Sequence, residues 1–569
     1  MALFKIRRFL LALPVIVLGA ARAFAETDVL LSAMKTELDR SFRGLEHVEK
    51  TPLYFLGYEV WDSHNLTLSA VLGALQAENE YRERQLSVDA RVGSRKVDNY
   101  HQMKGPDAWR YQQNETQFNL PVEDDAAALR ASIWRRTDAA FKEALDQFTK
   151  VEANKAVTAT EEDSSDDFSA APPVVHYAKT SYPAVDVAAW RDRLRRLSKA
   201  LKPYPFVFQS EVWLSINAEN RYLVNTDGTQ LVSGDRYLRL GYTMSSRTPD
   251  GMELERYKGY DGQNLEDFPS DEIILADIKK SVAELEALVK APLVSPYSGP
   301  AIIRNRATGV YFHEILGHRL EGHRQKYEGE GQTFTKMIGK QIVAPFISVY
   351  DDPTLERYHG TFLRGYYDYD DEGAPASRVA LIEHGILKNF LLSRMPIAGF
   401  PRSNGHGRRS SGHHVLPRMA NLMVEASETV PYETLRVRLL EEVRRQKKPY
   451  GLILDDIAGG FAVTSRDAPQ SFKVLPLLVY RVYPDGRPDE AVRGVDIVGT
   501  PLTAFTKILA AADDAAIFNG SCGAESGWVP VSAVAPSVLI SEIEIEKKVK
   551  TAEKPPVLPL PFHDPAEKR

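Results

Sequence analysis

The residues best suited to chemistry fall in one hexapeptide, His313-Glu314-Ile315-Leu316-Gly317-His318, placed behind the apolar run Val310, Tyr311 and Phe312. Imidazole nitrogens bind zinc and a neighbouring glutamate can take a proton from water, so this pattern on a helix reads as a metallohydrolase centre. A four-residue spacing stacks two side chains on one helix face. The five-residue spacing here turns through about 500°, which leaves the two rings about 140° out of register. A regular α-helix therefore cannot aim both at one ion: either it contains a π-bulge, or Gly317 lets the chain leave the helix before His318. Two histidines on a surface helix are the plain structural alternative.

A catalytic zinc site has three protein donors and an open position for water, so two histidines need a third ligand. His323 lies another five residues on and either joins them or sits at the rim against substrate. Cys522 is the soft-ligand candidate. It is the single cysteine of 569 residues, so no intramolecular disulfide is possible, and a buried inert thiol is its alternative reading. Its setting, Asn519-Gly520-Ser521-Cys522-Gly523, reads as a glycine-flanked turn that presents a thiolate closely, and a metal would hold that thiol ionised. Glu314, beside His313, points to another side of the helix, which suits a general base reaching water rather than a ligand. Arg408 and Arg409, in a glycine-rich stretch, are candidate donors to a substrate carbonyl, against the alternative of carboxylate-paired arginines. Asp370, Asp371 and Glu372 lack the alternation of a calcium loop and read as a strand-end turn.

The length predicts two or three domains, and Pro292, Pro296 and Pro300 place a boundary near residue 295. Before it, Leu30, Met34, Leu38 and Phe42 recur with helical period. Strands are expected over residues 53–60 and 86–92, then a long helix through Leu129, Ile133, Phe141 and Phe148. A helix over 185–201, strands over 206–224 and 230–244 turning at Asp227-Gly228, and a helix over 273–289 follow. The second half is strand-rich, with a hairpin at His384-Gly385. The expected class is α+β: an amino-terminal α/β domain, residues 26–295, with a mixed or antiparallel sheet, and a β-rich carboxy-terminal domain, residues 296–550, carrying the metal-site helix. The acidic stretch 151–173 is expected to be a mobile insertion, and the proline-rich tail 551–569 to be extended.

Lys5, Arg7 and Arg8, an apolar run over residues 9–20 and Ala23-Phe24-Ala25 make a secretory signal over residues 1–25. Export is expected, to the periplasm in a Gram-negative source, with a retained anchor as the alternative. The run is shorter than the ~20 residues that span a bilayer, so no integral span is expected after cleavage. A net charge of -6 with both signs interspersed gives no basic field for nucleic acid.

The motif His313-Glu314 to Glu321-Gly322 is followed in order by several further segments. They are Asp370-Asp371-Glu372-Gly373, Leu381-Ile382-Glu383-His384-Gly385, Asn404-Gly405-His406-Gly407-Arg408-Arg409, Pro417-Arg418-Met419-Ala420-Asn421 and Gly520-Ser521-Cys522-Gly523. Together they resemble the TldD/PmbA metallopeptidases, specifically the motif-bearing TldD type. The resemblance covers about residues 295–545. It implies a zinc peptidase acting on unfolded or extended polypeptides, with His313, His318 and Cys522 as ligands and Glu314 as general base. It also implies a dimer, with a related subunit or with a second copy. His323 stands where the family pattern has an aspartate, and residues 461–467 depart from its wording, so substrate choice is left open. A zinc-stabilised binding or assembly protein, and a metallohydrolase of non-peptide amides, are the two other functional classes the sequence allows.

Overall fold

The computed structural model describes residues 28–104, 117–157, 163–466, 471–499, 505–548 and 554–563. The signal expected over residues 1–25 lies outside them. The fold is mixed α+β, as the residue patterns predict.

The amino-terminal half is built on one seven-stranded sheet. Its centre is three long antiparallel strands, Leu53–Val71, Gln209–Asn225 and Gln230–Arg247, flanked by Ala74–Val92 and Glu253–Gly262. The short strand Val175–Ala178 adds a parallel pairing to Gln230–Arg247, which makes the sheet mixed. Helices Val29–Leu45 and Ala126–Val157 bury Leu30, Met34, Leu129, Ile133 and Phe141 with one part of the sheet. Helices Val187–Lys199 and Asp271–Lys290 bury Trp190, Leu194, Ile278 and Leu285 with another. Asp28 caps the first helix, its carboxylate accepting from Leu31 N at 3.0 Å.

Parts of the stretch 151–173, expected as a mobile insertion, are built into the fold. Residues 151–157 continue the long helix, residues 158–162 lie outside the described part, and Asp167 and Phe168 are buried. Asp167 pairs with the His101 ring at 2.7 Å and Phe168 lies under the Arg91 guanidinium at 3.7 Å. Partners distant in sequence thus hold Asp167 and Phe168, for which local composition gave no reason for order.

Two sheets organise the carboxy-terminal half. In one, Tyr297–Ile303 runs between Gly451–Ala462, parallel to it, and Val538–Lys547, antiparallel. In the other, Ile347–Asp351 and Asn421–Ala426 lead to Gly527–Ala535 and the edge strand Ala516–Ala524. The helix Asn305–Ile315 leaves the first sheet and packs against Gly451–Ala462, Gly527–Ala535 and Ala516–Ala524, so it is held between the two sheets. Ala307 to Ile315 are all buried as a result, which is why the segment is mostly apolar apart from Thr308 and the site residues His313 and Glu314. A Cβ on Gly309 would lie 3.1 Å from Ala533 Cβ, so the helix approaches the strand as closely as its glycine allows.

Candidate metal centre

The helix ends at Ile315, and a 3-10 turn, Gly317–Leu320, carries the chain on. Of the two geometries the sequence leaves open, the structure takes the exit at Gly317 and not the π-bulge. The tighter turn brings His318 round to His313, with ring centroids 5.1 Å apart and planes at 83°. Gly317 faces Met419 closely: a Cβ there would lie 2.0 Å from Met419 Sδ, so the methionine would have to shift. Arg319 ties off the helix end, donating to the carbonyls of Glu314 and Ile315 at 3.3 and 3.0 Å and to those of Val463 and Ser471 at 3.1 Å each.

Cys522 arrives from the edge strand Ala516–Ala524, paired with Val529 two residues before the hairpin turn. It therefore sits within a strand, not in the glycine-flanked turn expected; Gly520 and Gly523 leave room for the rings of Phe518 and Trp528. The Cys522 Sγ lies 3.1 Å from His313 Nε2 and 3.4 Å from His318 Nε2. The three donor atoms lie within 4.8 Å of one another, and among the described residues they form the one such group of histidine, cysteine and carboxylate side chains. In a tetrahedral zinc site, Zn–N of about 2.0–2.1 Å and Zn–S of about 2.3 Å put a nitrogen and a sulfur ligand about 3.6 Å apart. The donor set and its spacing fit such an ion.

Around these donors is a second set of buried charges. His318 Nδ1 lies 3.1 Å from Glu321 Oε1, which fixes the tautomer that leaves Nε2 for a metal. Arg324 Nε donates to the other Glu321 oxygen at 2.9 Å, and its Nη2 donates to Glu525 at 2.8 Å. Arg418, fully buried, donates to Cys522 Sγ at 3.1 Å. Glu314 Oε2 is 3.8 Å from His318 Nε2, beside the donors, and a Cβ on Gly460 would crowd Glu314 Cγ at 2.8 Å. Glu321 and Arg418 fall in segments that carry the resemblance but were given no role from sequence, and Arg324 and Gly460 were given none either. Only Glu321 had a local signal, its three-residue spacing from His318.

Burial opposes every charge here, yet the thiol of Cys522 is held well below its usual range by the neighbouring His318, His313 and Arg418. The same pairing, against burial, raises His313 and raises His318 well above the ordinary imidazole value. Glu321 is held below the carboxylate range despite burial, by His318 and Arg324. The site thus stabilises a thiolate, the form in which cysteine binds metal.

The remaining sequence candidates fall elsewhere. His323 does not join the donor group; it starts the short helix His323–Lys326, only 1% exposed, with no hydrogen-bond partner at either ring nitrogen. Burial, then Arg324, push it down to about 4. It lines a cleft of about 720 Å³ between the two halves of the chain, with Tyr58, Arg394, Lys326 and Glu525 among the other walls. Arg409 also lines this cleft but is paired with Glu59 at 2.7 Å. Arg408 is buried, its guanidinium donating to the carbonyls of Met419 and Pro530 at 2.6 and 2.7 Å. Asp370 does make the turn expected, accepting from Glu372 N and Ala374 N at 3.0 and 2.8 Å.

Residues 296–547 match the model of the PmbA/TldA metallopeptidase C-terminal domain. A metalloprotease TldD homolog of Haemophilus influenzae is 28% identical over 284 residues, 48% of this chain and 55% of the relative. A zinc metalloprotease TldD homolog of Saccharolobus solfataricus is 24% identical over 274 residues, 48% of this chain and 56% of the relative. The chain thus spans about half the length of these relatives. The crystal structure of TldE from Thermococcus kodakarensis superposes with a TM-score of 0.59 at 14% identity, covering 90% of this chain and 99% of that one, so the likeness in fold extends through both halves.

Proposed function

We propose that the chain is a zinc-dependent peptidase hydrolysing peptide bonds in unfolded or extended polypeptides. The observation that carries this is the convergence of His313, His318 and Cys522 with Glu314 beside them: three protein donors, among the described residues, leave a position open where four would close it. That count favours catalysis over a structural zinc in a binding protein. Bound zinc supplies a Lewis acid that polarises a carbonyl and makes water a nucleophile near neutral pH. Glu314 takes the proton of the attacking water and returns it to the leaving amine. Arg319 holds the backbone at Glu314, Glu321 holds the His318 ring, and burial of the site, with Glu314 8% exposed, limits competing water. Family resemblance supports a dimeric assembly, and the leader pattern of Lys5 to Ala25 supports export.

The test is elemental analysis of the purified chain and of Cys522→Ala, beside hydrolysis of an unfolded casein. About one zinc per chain, lost with the cysteine, together with chelator-sensitive cleavage, is the expected result. Metal retained in full without Cys522 overturns the ligand set. Turnover of small amides with no cleavage of unfolded chains overturns the substrate class.

A further inference from the structure

Arg418 lies at the centre of the buried charges, 0% exposed, and all four of its terminal N–H groups are accounted for. Nη1 donates to Ser526 Oγ at 2.8 Å and to Gly527 O at 3.1 Å; Nη2 donates to Cys522 O at 2.8 Å and to Cys522 Sγ at 3.1 Å. The fifth group, at Nε, makes no hydrogen bond but forms an ion pair at 3.4 Å with Glu321 Oε1, the oxygen that meets His318 Nδ1. One planar cation therefore touches both the sulfur donor and the carboxylate that aims the second imidazole. These two come from segments about two hundred residues apart, a hairpin of one sheet and the turn after the metal-site helix.

We infer that Arg418 is a positioning residue of the metal centre, locking Cys522 to the Glu321–His318 pair so that the sulfur and nitrogen donors meet at a fixed separation. The inference rests on the zinc reading above. A guanidinium suits this task because its donors diverge in one plane; an ammonium carries the charge but cannot meet a sulfur, a carbonyl and a carboxylate along one rigid fork. A purely structural arginine would be satisfied by the carbonyls of Cys522 and Gly527 and the Ser526 hydroxyl. The contacts to Sγ and Glu321 are the ones that reach the donors. Outer groups of this kind usually change metal affinity by about 10–100-fold.

The experiment measures zinc affinity by chelator competition, and the sulfur-to-cobalt charge-transfer band of the cobalt-substituted full chain, for wild type, Arg418→Met, Arg418→Lys and Ser526→Ala. Arg418→Met is expected to bind zinc about 10–100-fold more weakly with a shifted or weakened band. Arg418→Lys keeps the charge and most of the volume, and answers the question should the methionine variant fail to fold. It is expected at an intermediate affinity, its band still displaced. Ser526→Ala removes the arginine contact that does not reach the donors and is expected to match wild type in both readouts. Wild-type affinity and spectrum in Arg418→Lys, or equal losses in Arg418→Lys and Ser526→Ala, overturn the positioning role. A wild type that binds neither ion overturns the zinc reading instead, and this inference falls with it.

Discussion

His318 presents Nδ1 to Glu321 at 3.1 Å and so leaves Nε2 facing Cys522 and the Glu314 carboxylate. The carboxylate is fully buried and also holds Arg324, so it orients one donor while neutralising part of the positive charge behind it. Glu321→Gln keeps the shape and removes the charge. It is expected to weaken zinc binding by about 10–100-fold and to lower the stability of the metal-free protein by on the order of 3 kcal/mol, because buried arginines lose their counter-ion. Chelator competition and denaturant unfolding measure the two effects separately; unchanged zinc affinity would remove Glu321 from the site.

Glu314 has a different place. It is beside the donors, not among them, and Gly460 leaves space for its methylenes. Glu314→Gln is expected to retain a full complement of zinc while kcat on an unfolded polypeptide falls by about 10²–10⁴-fold, the range for loss of a general acid–base group. Loss of metal in step with activity would instead make Glu314 a ligand or a structural residue.

Gly317 lets His318 reach His313 across a spacing that a regular helix forbids, and Met419 fills the space where a side chain would stand. Gly317→Ala is expected to cost about 1–3 kcal/mol by overpacking and to weaken metal binding by displacing His318. Shortening the opposing side chain relieves the clash, so Gly317→Ala with Met419→Ala should be less destabilised than the sum of the two single variants. Additive losses would show that backbone geometry, and not Met419, is what demands glycine.

The local periodicities that sequence reading uses located the helix Val29–Leu45 and the turn at Asp227-Gly228, because each is set by residues near in the chain. The hairpin Leu53–Val71 and Ala74–Val92 runs far beyond the alternation that announces it; residues 76–82 are exposed, or nearly so, on both faces, and such a strand carries no period. His313 and His318 were legible as donors by type, but the shape of the turn between them was not, since it is packed against Met419, a hundred residues away. Cys522 was legible because it is the chain's one cysteine. Arg418 stood in the segment Pro417-Arg418-Met419-Ala420-Asn421 with no role to read from it, because what marks it is where its terminal N–H groups point in the folded chain.

His323 gives a prediction that turns on pH. Both ring nitrogens are buried without a hydrogen-bond partner, and burial, with Arg324 nearby, lowers its value from 6.5 to about 4, so the folded chain carries it neutral. Between those values the unfolded chain binds a proton that the folded chain does not. Stability from this group is therefore complete above pH 6.5 and is lost as pH falls through 4, by at most on the order of 3 kcal/mol. His323→Leu removes the titration and leaves no unpaired polar atom, so its unfolding free energy at pH 7 should equal or exceed that of wild type. Measured on the metal-free proteins, where the other titrating groups are common to both, the advantage of the variant should grow as pH is lowered from 7 to 4. A constant difference across that range would mean that His323 is solvated or paired in solution. If the ring also meets substrate, the same variant raises KM for an unfolded polypeptide while zinc content stays unchanged.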